Sequence, residues 1–89
     1  MRLDLFLKAV CVLRSRTLAK EACSREKITV NGEPGKASRA VSPGDRIRLV
    51  LGLRILEIEV VEIPSGQVSK KTAGDFFRVL VDQKDPELP

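Results

Sequence analysis

The stretch RSRTLAKEACSREKITVNG, residues 14–32, changes its hydrophobic period half-way through. Leu18, Ala19, Ala22 and Cys23 share one face at helical spacing, and Arg16 and Lys20 share another. Ser15 stands where an N-cap belongs, because its hydroxyl can accept a free N–H of the first turn. By Ile28 the period has dropped to two, with Ile28 and Val30 alternating against Lys27 and Thr29. The second helix must therefore end between Cys23 and Lys27. Asn31-Gly32 then reads as a tight hairpin turn.

Upstream, Leu3, Phe6, Leu7, Val10 and Leu13 follow the i, i+3, i+4, i+7 rule of an amphipathic helix. Asp4 and Lys8 are spaced to pair on its outer side. Downstream, Lys36 to Val41 reads as a weak extended segment, and Ser42-Pro43-Gly44-Asp45 as a turn. Arg46 to Leu51 is a strand with Ile47, Leu49 and Leu51 inward. Leu53 and Ile55 continue that alternation, whereas Leu56, Ile58 and Val60 run in the opposite phase, which predicts a bulge or bend between Ile55 and Leu56. Pro64-Ser65-Gly66 is expected to end the sheet. Ala73, Phe76, Phe77 and Leu80 fit a last helix, capped by Ser69 or Thr72, with both phenylalanines in the core. The fold class is α+β: two N-terminal helices on a small antiparallel sheet, plus a C-terminal helix. Its 89 residues suit one domain, 1–81, followed by a flexible tail, 82–89.

The net charge of +4 is unevenly spread. Residues 1–39 hold nine basic against four acidic side chains, a net +5, residues 40–60 balance, and residues 61–89 come to −1. A polyanionic partner is expected on the N-terminal half. Arg14, Ser15, Arg16 and Thr17 flank the start of the second helix, where free backbone N–H groups favour a phosphate. Arginines there oppose the helix dipole, a local cost that an anion site would accept.

Absences narrow the function. With no His, histidine-based acid–base catalysis and His-bound metals are excluded, and no carboxylate pair or phosphate loop forms a catalytic motif. No enzymatic activity, metal or cofactor is expected. With no Trp or Tyr and only three Phe, a base-stacking platform is ruled out. No apolar run approaches a membrane span and no signal-peptide pattern opens the chain, so a soluble, cytoplasmic protein is expected. Cys11 and Cys23 match no zinc or redox spacing and read as reduced, mostly buried thiols.

Four blocks agree in order and spacing with a known family: Arg2-Leu3-Asp4-x-Phe6-Leu7, Arg14-Ser15-Arg16-Thr17-x-Ala19, Ile28-x-Val30-Asn31-Gly32 and Val41-x-Pro43-Gly44-Asp45-x-Ile47. Over residues 1–51 the chain resembles the RNA-binding domain named after ribosomal protein S-four. The remainder looks like short stand-alone members of that family, which serve in ribosome-associated quality control, and the related ribosome-associated heat-shock proteins. The resemblance implies a monomer that binds stalled large ribosomal subunits, touching rRNA and peptidyl-tRNA. It would hold the P-site tRNA while a tail-elongating quality-control factor extends the nascent chain. By position, Arg2, Lys8, Arg14, Ser15, Arg16, Thr17 and Lys20 would form the RNA face, with Lys27, Lys36 and Arg39 at its margin. The chain departs from the pattern at Leu5 and Cys11, where basic residues are common, and at Glu26, where a glycine usually ends the second helix. Two other readings are a factor recycling nascent-chain-blocked large subunits and an RNA-targeting subunit of an RNA-modifying enzyme. A protein-docking module that uses the sheet is a further one.

Overall fold

The computed structural model describes residues 1–84. Helices α1 (Leu3–Ala9) and α2 (Arg16–Ser24) pack on a five-stranded antiparallel sheet. Its strands are β1 (Ile28–Val30), β2 (Glu33–Pro34), β3 (Arg46–Leu51), β4 (Arg54–Val60) and β5 (Phe77–Lys84), in the order β2-β1-β3-β4-β5. A single helical turn, α3 (Lys70–Ala73), precedes β5. Leu3, Phe6, Leu7 and Val10 of the first segment are buried against Ile28, Val30, Ile47, Leu49, Ile58 and Val60 of the sheet.

Both main helices stop in the same way. α1 ends at Ala9, earlier than its periodicity suggests, because Cys11 adopts φ +62. Cys11 N–H donates to the Lys8 carbonyl and Val12 N–H to that of Leu7. α2 ends with Glu26 at φ +57, whose N–H donates to Cys23 while Lys27 N–H donates to Ala22. These paired bonds form the Schellman motif, whose left-handed residue is usually glycine. Neither helix has one. The expected helix end between Cys23 and Lys27 and the Ser15 cap both hold, since Ser15 Oγ accepts from Leu18 N–H at 3.1 Å.

Asn31 and Gly32, at φ +53 and +83, make the two-residue turn that pairs Val30 with Glu33. The segment after β2 returns along the N-terminus. Leu3 N–H donates to the Arg39 carbonyl, Val41 N–H donates to that of Met1, and Arg2 bridges Ala40.

Three further expectations need correction. The apparent phase slip at Ile55 is a hairpin. Leu51 pairs with Arg54 across a Gly52-Leu53 turn, which leaves Leu53 exposed and sets Ile55 beside Val50 on the outer face. The bulge lies in β5, where Glu57 pairs with Val81 and Ile58 with Val79, so that Leu80 is the extra residue.

The C-terminal helix is present but only as Lys70–Ala73. Phe77 and Leu80 belong to β5, and Phe76 to the turn before it. Gly74 interrupts the helical pattern, and the aromatic and β-branched run from Phe77 to Val81 suits a strand beside the open edge of β4. The sheet thus does not end at Pro64. Phe76 and Phe77 still pack, half-buried, against the core. Residues 82–84 of the expected tail are strand, with Arg54 holding Asp82 through two bonds of 3.0 and 3.1 Å. Residues 85–89 of that tail lie outside the described residues.

The third correction is Asp4. It does not face outward to pair with Lys8 but is completely buried.

Candidate nucleic-acid interface

Asp4 organises the basic face from beneath. Its carboxylate accepts from Leu5 N–H at 2.8 Å, from Arg16 Nε at 3.0 Å, and from Arg2 Nε and Nη2 at 3.2 and 3.3 Å. Burial pushes its pKa up, but the Arg16 hydrogen bond, the Leu5 N–H and the charges of Arg16 and Arg2 outweigh that, and the net shift is downward. The carboxylate therefore stays ionised between two arginines. Their side chains remain 42% and 39% exposed, so each is tethered by one edge and open at the other. Among the described residues, the Arg16 Nη groups have no protein partner. With Nε held by Asp4 and the side chain part-exposed, they are left to donate at the entry of α2, which suits a phosphate.

Ser15 is half-buried and uses its oxygen as the cap, whereas Thr17 is exposed beside it. Because Leu18 N–H goes to Ser15 Oγ and Ala19 N–H to the Ser15 carbonyl, the N–H groups of Arg16 and Thr17 stay open for an anion. Lys20 and Lys36 lie on opposite walls of one hollow of about 330 Å³ between α2 and the segment after β2. Arg39 shares a second, smaller hollow with Lys36 and stands 3.9 Å from Glu33. Lys8 Nζ donates to Gln67 Oε1 at 3.0 Å, and Lys8 and Arg14 line a third hollow.

Lys27 stands apart from these groups. It lines an apolar groove with Leu13, Leu18 and Arg25, and Arg25 is paired with Glu21 at 3.2 Å. The sequence reading missed Gln67 and Lys70, which complete the third hollow from more than fifty residues away. Nothing in the local pattern signals that approach. On the outer sheet face, Arg46 and Arg48 are registered opposite Glu59 and Glu57, so charge there balances across strands.

Burial raises the pKa of the Cys23 thiol, with the Asp4 charge adding to the effect, and both cysteines are free. Among the described residues no group of three His, Cys, Asp or Glu could hold a metal ion. No helix among them is long and apolar enough to cross a membrane.

The family model described as the S4 domain matches residues 1–47, the stretch that carries the arginine pair and its buried carboxylate. The chain belongs to the S4 domain family. This S4 domain protein is 36% identical over 84 residues to the RQC P-site tRNA stabilizing factor of Bacillus subtilis, covering 94% of this chain and 96% of the relative. To the factor of that name from Halalkalibacterium halodurans it is 38% identical, covering 89% of each chain. Among solved structures, Vibrio cholerae Heat Shock Protein 15, described as trimeric, superposes with a TM-score of 0.83 at 28% identity, covering 89% of this chain and 80% of that one. The solution structure of a hypothetical protein superposes with a TM-score of 0.78 at 31% identity, covering 93% and 100%.

Proposed function

We propose that this S4 domain protein stabilises the P-site tRNA, as the names of its relatives describe for them, and that it does so on large ribosomal subunits that carry peptidyl-tRNA. It acts by binding, without catalysis, while a tail-elongating factor works on the nascent chain. The observation that carries this reading is the Asp4 carboxylate clamping Arg2 and Arg16 at the entry of α2. Two guanidinium groups fixed on one anchor meet a phosphate backbone with little further loss of side-chain freedom. In this reading Arg2, Arg16 and Thr17 form the centre of the RNA contact, with Ser15 shaping it. Lys20, Lys36 and Arg39 flank one side, Lys8 and Arg14 the other, and Lys27 makes a marginal contact.

A single copy presents this whole face, so the functional unit is read as a monomer despite the trimeric heat-shock relative. Sedimentation of tagged protein from lysate tests the reading. Co-migration with free large subunits, in an RNase-sensitive manner and with tRNA recovered, is expected. Migration with intact ribosomes or no particle would refute it, and a threefold mass of the free protein would refute the monomer.

A further inference from the structure

The third hollow extends the basic face beyond the segment that defines the family. It measures about 380 Å³ and opens between the end of α1 and the segment that leads into α3. Lys8, Arg14 and Lys70 enter it from three separate parts of the chain, over a floor that includes Cys11 and Val12. No acidic side chain lines it, and none of the three cations makes an ion pair among the described residues.

Gln67 fixes the wall. Its Nε2 donates to the Ala9 carbonyl at 3.1 Å and the Val68 carbonyl at 3.2 Å, which leaves Oε1 to accept from Lys8. Val68 N–H donates to the same Ala9 carbonyl at 3.2 Å. This segment is thereby stitched to the end of α1, and Lys70 follows two residues later. Three like charges around one concave space repel each other, and among the described residues no carboxylate lines the space to relieve them. An anion would do so.

We propose that this hollow holds a backbone phosphate of the bound RNA, with Lys70 as a contact residue contributed from outside residues 1–47. The inference rests on reading the Arg2–Arg16 face as an RNA contact, and adds a second phosphate position beside it. A backbone phosphate there would supply the counter-charge that Lys8, Arg14 and Lys70 lack among the described residues.

The test compares Lys70→Gln with Lys71→Gln, both exposed on the same turn, in binding to tRNA across a salt series. Lys71 does not line the hollow. Lys70→Gln is expected to weaken binding about fivefold and to reduce the log–log salt slope by about 0.7–0.9, the value of one phosphate contact. Lys71→Gln should do clearly less. The Gln67 side-chain amide resonance should shift on titration with inorganic phosphate in wild type and in Lys71→Gln, and not in Lys70→Gln. If the two variants bind alike while Arg16→Ala still weakens binding, the hollow is not a phosphate site and the parent reading stands. If wild-type protein shows no salt-dependent tRNA binding, the parent reading falls and this site with it.

Discussion

Replacing Glu26 by glycine is expected to raise the melting temperature of the protein. Glu26 sits at φ +57 in the left-handed position of the α2 terminator, with its N–H and that of Lys27 committed to Cys23 and Ala22. A residue with a β-carbon loses about 1–2 kcal/mol in that conformation. Glycine avoids the loss, but gains about 0.4–1 kcal/mol of freedom in the unfolded chain. The carboxylate also lies at the negative end of the helix dipole, and its removal adds about 0.3 kcal/mol or more at an exposed site. The net gain is about 0.3–2 kcal/mol, or roughly 1–15 °C for a domain of this size. Melting is followed by circular dichroism, because the chain has neither Trp nor Tyr. Glu26→Ala separates the causes, since it removes the charge but keeps the β-carbon. The order expected is glycine above alanine above wild type. A glycine variant that melts at or below the alanine variant would show that backbone strain at residue 26 is not what limits this helix end.

Three further outcomes follow from the basic face. Arg16→Ala should weaken tRNA binding more than Arg25→Ala, which breaks only an exposed pair with Glu21, and should lower stability by about 1–2 kcal/mol because buried Asp4 keeps Arg2 and the Leu5 N–H but loses its closest guanidinium; binding and melting measured on both variants check this, and equal losses of affinity would mean that only bulk charge matters. Asp4 has a lowered pKa in the folded state, so its contribution to stability is complete above the ordinary carboxylate range and is lost as pH falls through the folded value. Melting temperature from pH 7 to pH 2 should therefore fall in wild type below about pH 4 and flatten in Asp4→Asn; parallel curves would refute the assignment. Binding to structured RNA should fall with a log–log salt slope of several units, at about 0.7–0.9 per phosphate, and an affinity unchanged between low and physiological salt would refute an electrostatic face.

What the sequence reveals depends on whether a residue's partner is local. Ser15 and Leu18, Asn31 and Gly32, and the change of period before Ile28 are short-range features, and each takes the expected form. Asp4 shows where this fails. Its spacing to Lys8 is a valid helical pair, but Arg16 and Arg2 offer two charged donors at a buried position, and a carboxylate with three partners can leave water. Phe77 and Leu80 fail for a related reason. Their spacing of three fits a helix, and what overrides it is the open edge of β4, where a bulge at Leu80 absorbs the mismatch; that edge is invisible in residues 70–84 taken alone. The basic face was legible at α1 and α2, where charge is dense. Its third hollow was not, because Lys70 reaches it through the Gln67 bonds.

The backbone bonds between the first residues and the segment 39–41 set an order of events when the chain is synthesised. Asp4, Arg2 and Arg16 lie within fifteen residues of one another and can meet as soon as α1 and α2 emerge. Leu3 N–H, however, waits for the Arg39 carbonyl and the Met1 carbonyl for Val41 N–H. Until β4 adds Leu56, Ile58 and Val60, the helix pair has no complete apolar floor to rest on. An emerging chain thus exposes an unpacked, positively charged helix pair close to the polyanionic particle that makes it, and electrostatic attraction at that distance acts before the fold can select a site. The late strands do more than close the core: they convert an indiscriminate polycation into a surface with a defined shape.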